Sequence, residues 1–539
     1  MNEEIAEYYE ELYRLYIDEN QPLERRYRQL RESLERVVRE RIQGNSLQIT
    51  DLAARINYVA TQYELDIKEQ NQLHTFRLTS NDILNHRKFP AKEEFLRDLR
   101  AVAFAYRKMF AQDIPLKLFS VLPKQEITSL GKKEKKEYIR RIRVCFDYAD
   151  DTYLYVHPVD IIADEPIRVV YNKPGINHEF EETIKELWRY AQLNLLDVFV
   201  DREGIYTPSF IVLEPDYLID ISSLAECYKD YGSHPANYFL SRLVPIDNAR
   251  PLLLGNIANL FLDEWIHAGE EEPDYIDCMK KAFRQYPIEL AACAELRDPS
   301  KEKEFAKDCR MHFEHIRDIV QHTFLEPGYN LDKKDAVLEP SYICEALGIQ
   351  GRLDYMQRDM SSFIEMKSGK ADEFSIQGKV EPKENNKVQM LLYMAVLEYS
   401  MGQDRRRMHP YLLYTRYPLL YPARASWAQV RRVINLRNRI VAAEYGVQFH
   451  NHSDFTRNLL AQINPEVMNE RKLRGRFWEQ YLKPSISRFR EKLSALEPLE
   501  QAYFYTLYNF ITKELYTSKS GDVDYEGRAG ASALWLSTL

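Results

Sequence analysis

Residues 351–370 read GRLDYMQRDMSSFIEMKSGK, and after a polar stretch residues 389–393 read QMLLY. Phe363-Ile364-Glu365-Met366-Lys367 alternates as a strand does. Glu365 and Lys367 therefore share one face, while Ile364 and Met366 take the other, toward a core. Asp354 lies near the end of the neighbouring apolar segment, after the tight Gly351. If the two segments pair, Asp354 and Glu365 can share a divalent ion. Gln389 and Tyr393 are four apart on a helical segment, so they lie on one helix face that can look over the sheet edge at the same point.

Those residue types in that pattern point to phosphodiester hydrolysis. Mg²⁺ takes oxygen ligands and keeps several waters. The carboxylates of Asp354 and Glu365, the carbonyl of Met366, water and a substrate phosphate would complete the shell of Mg²⁺ or Mn²⁺. Such an ion lowers the pKa of a bound water and neutralises charge on the phosphorus. Lys367, a compact point charge, would orient that water and stabilise the transition state. Gln389 could hold the water or a phosphate oxygen, and Tyr393 could contact the backbone. The plain alternative is an exposed strand edge with an ordinary Glu–Lys pair. Against it, the charges sit in otherwise apolar strands, where an unpaired charge is costly.

Outward from this stretch, AVLEPSYICEAL, IQGRLDYM and SSFIEMK read as consecutive strands. A helix over 386–400, the strand PYLLYTR and the helix SWAQVRRVINLRNRIVAAEYG follow. The order predicts an α/β sandwich with a mixed sheet over 216–500. Residues 1–115 read as helical: Leu30, Leu34, Val37 and Ile42 recur at helical spacing, Gly44-Asn45 ends that helix, and Thr50 is the expected N-cap of the next. A further helix runs through EEFLRDLRAVAFAYRKMF. Residues 116–215 read as a small β-rich domain, for which an OB-like barrel is one form, with FEETIKELWRYAQLNLLDVFV as a helix entering a strand. The whole is expected to be a multidomain α/β protein.

Composition narrows the class. The 539 residues are 45% hydrophobic and 29% charged, the balance of a soluble globular chain. No apolar run approaches the roughly 18 residues that span a bilayer, and the acidic, helical start is unlike a signal peptide. The expectation is a cytoplasmic protein with no membrane partner. The six cysteines, none in a C-x-x-C pair, read as reduced, mostly buried thiols and not as a zinc site. Net charge is −9, yet residues 401–450 hold nine Arg and no Lys against one Asp and one Glu. Arg405, Arg406, Arg407, Arg431, Arg432, Arg437 and Arg439 are therefore candidate phosphate contacts, or else a solvated helix face. The run GKKEKKEYIRR carries the same two readings. No P-loop occurs anywhere in the chain.

The string E-P-S-Y, G-R-L-D-Y, I-E-M-K-S-G-K and V-Q-M-L-L-Y resembles the PD-(D/E)XK nucleases, and within them the RecB-like branch found in nuclease-helicases. The close match covers about 336–416 and, more loosely, 214–416. The resemblance implies a restriction-endonuclease-like α/β core, Asp354 and Glu365 as metal ligands, Lys367 as the catalytic lysine, and Gln389 and Tyr393 as the branch-specific pair. Glu339 stands where such enzymes often carry another acid, and it either joins the site or faces solvent. Two departures stand out. Where the branch has Gly-x-x-x-His, this chain has Gly255-Asn256-Ile257-Ala258-Asn259, so Asn259 replaces the metal-binding His, and Asp263, one turn on, could substitute. His267 is expected to face water. Many relatives carry an iron–sulfur cluster. Cys227 fits its early position, but no Cys follows Cys344, so no iron–sulfur cluster is expected.

Residues 501–539 resemble the connector to a helicase half in nuclease-helicase fusions, and the apolar ending is expected to continue into a longer protein. The reading is thus a Mg²⁺- or Mn²⁺-dependent deoxyribonuclease acting on single strands or ends in repair, recombination or defence. A helicase half or helicase partner is expected beside it. The alternative is a weakly active or inactive nucleic-acid-binding scaffold or partner-docking protein, whose N-terminal helices could also self-associate.

Overall fold

The computed structural model of the protein describes residues 3–42, 49, 51–124, 137–160, 162–163, 165–244, 249–269, 271–329, 331–374, 379–424, 426–450 and 453–520. The chain is a multidomain α/β protein with a helical N-terminal region and several sheets. It divides into two compact units. The first comprises Met1–Tyr217, Val441–His452 and Asn509–Leu539, and the second Leu218–Ile440 and Ser453–Tyr508. No helix among the described residues is long and apolar enough to cross a membrane.

The first unit opens with α1 (Glu3–Ile17), α2 (Leu23–Ile42), α3 (Leu52–Gln62), α4 (Ile67–Leu84), α5 (Lys92–Phe110) and the short α6 (Leu116–Phe119). Leu30, Leu34 and Val37 of α2 are buried as their spacing predicts, and Ile42 packs at the core's margin. Gly44, Asn45 and Thr50 lie outside the described residues. The side chain that caps α3 is Asp51, which accepts the Ala53 amide at 2.5 Å. Helix α4 has no clear apolar stripe. Its start is written in Asp66-x-x-Glu69, where each side chain accepts the other's backbone amide, at 2.8 and 3.0 Å.

Six strands follow: β1 (Tyr138–Ala149), β2 (Tyr153–Pro158), β3 (Ile167–Val170), β4 (Gln192–Val200), β5 (Tyr206–Thr207) and β6 (Phe210–Leu213). The order is β1-β2-β3-β5-β4-β6, and β1 also pairs with β4, so five strands return on themselves as a ring. Strands β3 and β5 run parallel and the other pairs antiparallel. The helix expected before β4 shrinks to α7 (Glu181–Lys185), and Tyr190, at φ 72°, turns the chain into the strand. The lysines at 132–136 lie outside the described residues.

Glu214, just past β6, is buried and accepts the Gln192 amide at 3.0 Å and the Tyr445 hydroxyl at 3.3 Å. Burial pushes its carboxyl from 4.5 up to about 7, the Gln192 amide opposing and the charge of Asp216 adding. The folded state thus holds this proton more tightly than the unfolded chain. Its contribution is fully present below about pH 4.5 and is lost as pH climbs through 7. Urea unfolding at pH 5 and pH 8 should show a drop of up to about 3 kcal/mol from this group. Glu214→Gln should flatten that drop.

The second unit begins with β7 (Ile219–Asp220), α8 (Ile221–Ala225), α9 (Ala236–Leu243), α10 (Arg250–His267), α11 (Tyr275–Gln285), α12 (Pro287–Ala292) and α13 (Pro299–Gln321). Strands β8 (Ala336–Leu338), β9 (Ser341–Cys344), β10 (Ile349–Arg352), β11 (Tyr355–Gln357) and β12 (Ser362–Lys367) come next. The hairpin β13 (Asp372–Phe374) and β14 (Lys379–Glu381) leads to α14 (Glu384–Met401), β15 (His409–Tyr414), β16 (Leu419–Pro422) and α15 (Trp427–Phe449). The described chain closes with α16 (Ser453–Ala461), α17 (Pro465–Met468), α18 (Lys483–Ser494) and α19 (Pro498–Ser520). The apolar ending after Ser520 lies outside the described residues.

The main sheet has the order β16-β15-β12-β11-β8, mixed because β12 and β15 are parallel. AVLEPSYICEAL and IQGRLDYM, each expected as one strand, are each two. They form one long hairpin in constant register, from Ile349↔Cys344 to Gln357↔Ala336, broken at Glu339-Pro340 and Leu353-Asp354. Glu339 takes φ 50° and Pro340 has no amide to donate, so the hairpin bends there and leaves β9-β10 in a second sheet with β7. Helices α10 and α13 bury their apolar faces on the side of the main sheet that carries Tyr355, Ile364, Met366, Tyr411 and Leu413. The opposite side faces α14, whose Asn386 Nδ2 donates to the Tyr414 hydroxyl at 2.6 Å.

Candidate active site

Alternation along β12 places Ile364 and Met366 in the helix-covered core and turns Glu365 and Lys367 to the α14 side. Register brings the acids together. Tyr355 pairs with Ile364 on one side and Leu338 on the other, so the next position aligns Glu339, Asp354 and Glu365 in one row across three neighbouring strands. The row sits where the hairpin bends, and the bend is tied by the Glu339 amide donating to the Asp354 carbonyl at 3.1 Å.

Glu365 is only 3% exposed. Its Oε1 accepts Lys367 Nζ at 2.8 Å and Gln389 Nε2 at 2.5 Å. Its Oε2 is buried without a hydrogen-bond partner. Burial, and then the charge of Asp354, push its carboxyl from 4.5 up to about 8, against the pull of Lys367. Asp354 is also raised, chiefly by burial, although its Oδ2 accepts the Met366 amide at 2.6 Å. Lys367 is held above the usual lysine range because Glu365 and Asp354 outweigh its own desolvation.

Gln389 also reaches Ser222 Oγ at 3.3 Å. The Tyr393 hydroxyl donates to the Arg352 carbonyl, and its ring abuts Gly351. A Cβ added at Gly351 would meet Tyr393 at 3.1 Å and Ile221 at 3.0 Å. Gly351→Ala should therefore cost about 1–2 kcal/mol through overpacking and tilt Tyr393 off Arg352, read as a lower melting temperature together with slower turnover. Glycine has a parallel use on α10. A Cβ at Gly255 would lie 3.3 Å from Ser368 Oγ, so the helix passes close to the end of β12.

That passage lines up the remaining candidates. Asn259 and Asp263 of α10 border a cleft of about 450 Å³ whose sheet wall is formed by Glu339 and Arg352 and whose opposite wall carries Lys281, Arg284 and Tyr286. Burial raises the Asp263 carboxyl to about 6, and the charges of Glu339 and Asp354 add to it. Glu339, half-exposed, pairs with Arg352 at 3.2 Å. The cleft does not reach Glu365 or Lys367. Glu339 belongs to both cleft and acid row, and Asp263 stands near enough to feel the charges of Glu339 and Asp354. Among the described residues no three acids converge closely enough to enclose an ion as the side chains stand. The reason is visible in their partners: Asp354 turns to the Met366 amide, while Glu365 is held by Lys367 and Gln389.

The arginine candidates fare differently. Arg437 is fully buried, its Nε donating to the Gly348 carbonyl at 3.1 Å, so it is a core strut and not a phosphate contact. Arg405, Arg406 and Arg407 precede β15, whose His409 pairs with Ser362 at the far end of β12 from Lys367. Along a strand that is about 17 Å, so the triplet does not adjoin the acids. Arg405 lies over the Trp427 ring at 4.9 Å. Arg432 is exposed, and Arg431 and Arg439 are half-buried. His267 is exposed and its Nδ1 meets the Asp263 carbonyl at 2.9 Å. All six cysteines are buried thiols, with Cys227 pushed up to about 12 by burial.

Sequence reasoning missed Arg352 and the α11 side chains. Arg352 was within reach, because it stands two before Asp354 in an extended segment. Lys281, Arg284 and Tyr286 had no local signal. Glu226, just after α8, was missed too. It accepts Asn385 Nδ2 at 2.9 Å and sits close enough to Lys367 for their charges to act on one another. No protein-family model matches the chain, and no curated protein matches it.

Proposed function

We propose that the second unit is a divalent-metal-dependent nuclease core of the PD-(D/E)XK, RecB-like type, hydrolysing DNA phosphodiester bonds. The observation that carries this reading is the row Glu339–Asp354–Glu365 with Lys367 beside it. Supporting it, Glu365 is buried with one oxygen unpartnered. A structural carboxylate is normally satisfied, whereas a cation ligand needs a lone pair left open. The donor set is oxygen-rich, as Mg²⁺ or Mn²⁺ requires, and Asp354, Glu365 and the Met366 carbonyl would hold the ion, with Glu339 and Asp263 next to them. When bound, such an ion acidifies a water and neutralises phosphate charge.

The protein's own groups do the rest. Lys367, released from Glu365, supplies a positive charge to the attacked phosphate. Gln389 fixes the Glu365 carboxylate from the helix side. Tyr393 holds the Arg352 backbone, and with it the approach to Asp354. The first unit's ring of strands supports reading it as an OB-like barrel, a fold that binds oligonucleotides among other ligands.

One observation favours a binding-only scaffold: Asn259, a weaker ligand than His, stands at the cleft. Labelled single- and double-stranded DNA incubated with Mg²⁺, Mn²⁺ or chelator decides between the two. The nuclease reading expects metal-dependent cleavage that Asp354→Ala and Lys367→Ala abolish. Tight metal-independent binding with no cleavage would leave the scaffold.

A further inference from the structure

The cleft between α10 and α11 is divided by charge. Asp263 and Glu339 lie toward the acid row, while Lys281 and Arg284 stand on the α11 wall, three residues apart and so on one helix face. Arg352 stands beside Glu339 at the sheet wall. Among the described residues, two of the three cations are engaged in pairs that are exposed or half-exposed, Lys281 with Glu264 and Arg352 with Glu339. Such pairs contribute little to stability, so a phosphate can displace them at small cost. Arg284 makes no ion pair among the described residues. Tyr286 adds an aromatic ring next to these charges.

We propose that this cleft seats one nucleotide of a single strand beside the bond that is cut. Lys281, Arg284 and Arg352 are its phosphate-binding side chains, and Tyr286 flanks its base. The position beside the cut bond rests on the nuclease reading, whereas the strand binding does not. A cleft of about 450 Å³ has room for one nucleotide and its phosphate. Cations aligned with an aromatic ring are the means by which proteins hold single strands without reading sequence. Lys281 and Arg284 offer their charge to the phosphate from α11 and Arg352 from the sheet wall beside Glu339.

The test uses the full chain and a fluorescein-labelled oligonucleotide, as a single strand and as a duplex, followed by anisotropy in chelator over a range of salt. The variants are Lys281→Ala/Arg284→Ala and Arg284→Glu, both on an exposed helix face, with circular dichroism to confirm folding. Expected is single-strand binding weakened about tenfold or more in the double variant, with a salt slope shallower by about 1.4. In the cleavage assay KM should rise while kcat is kept. Unchanged strand affinity, no binding of the strand by the parent protein, or equal losses for strand and duplex would each overturn the proposal. Failure of the nuclease reading looks different: no cleavage in any metal, while strand binding still depends on Lys281 and Arg284.

Discussion

Asp354→Ala and Lys367→Ala are each expected to lower the single-turnover rate of DNA strand cleavage by roughly a thousandfold. Asp354 faces Glu365 across β11 and β12, and its charge adds to the burial that raises the Glu365 carboxyl. Removing one leaves a single buried acid, which cannot hold a hard cation of fixed geometry. Removing Lys367 leaves Glu365 in place but takes away the only ammonium hydrogen-bonded to it among the described residues. The two variants should therefore separate in a thermal-shift titration. Mg²⁺ or Mn²⁺ should raise the melting temperature of the parent and of Lys367→Ala, but not that of Asp354→Ala.

Stability should move the opposite way to activity at Glu365. Its folded carboxyl is raised from 4.5 to about 8, so the stability it contributes below pH 4.5 is lost as pH climbs through 8. Glu365→Gln keeps acceptors for Lys367 and removes that loss. The metal-free variant should melt higher than the parent at pH 8.5 while cutting nothing. A Glu365→Gln variant that is destabilised at that pH would mark the residue as a structural ion-pair partner.

The second large effect is expected at Arg437, whose replacement by Ala should cost about 3–5 kcal/mol. The guanidinium is fully buried, bonds the Gly348 carbonyl at 3.1 Å and Asn438 Oδ1 at 3.3 Å, and packs where a Cβ at position 348 would be. Gly348, at φ 65°, makes the turn between β9 and β10, so Arg437 braces the hairpin that carries Asp354. Gly348→Ala should be comparably damaging, since it adds steric overlap to a left-handed backbone. Urea unfolding reads both. Arg432→Glu, on the exposed side of the same helix, should shift stability by no more than about 0.5 kcal/mol. An Arg437→Ala protein that unfolds like the parent would show that the turn is held by other contacts.

Arg437 also shows where sequence reading stopped short. It falls in step with Val430, Val433, Ile434, Ile440 and Val441, the buried stripe of α15. The sequence reading followed its charge to phosphate or solvent, although its position matches the buried stripe. Only packing against Gly348, 89 residues away, decides for periodicity.

The sequence alone determined what local geometry can carry. A period of two set Glu365 and Lys367 against Ile364 and Met366, and a period near four set Gln389 with Tyr393, because those relations hold within one strand or one helix. It could not put Lys281 and Arg284 across a cleft from Glu339 or move the arginine triplet to the far end of β12. Those outcomes depend on the bend at Glu339-Pro340, on the register of the long hairpin and on the close passage of Gly255 past Ser368. The first two are set by pairing across one hairpin and the third by contact between segments distant in the chain, so no single segment contains their free energy.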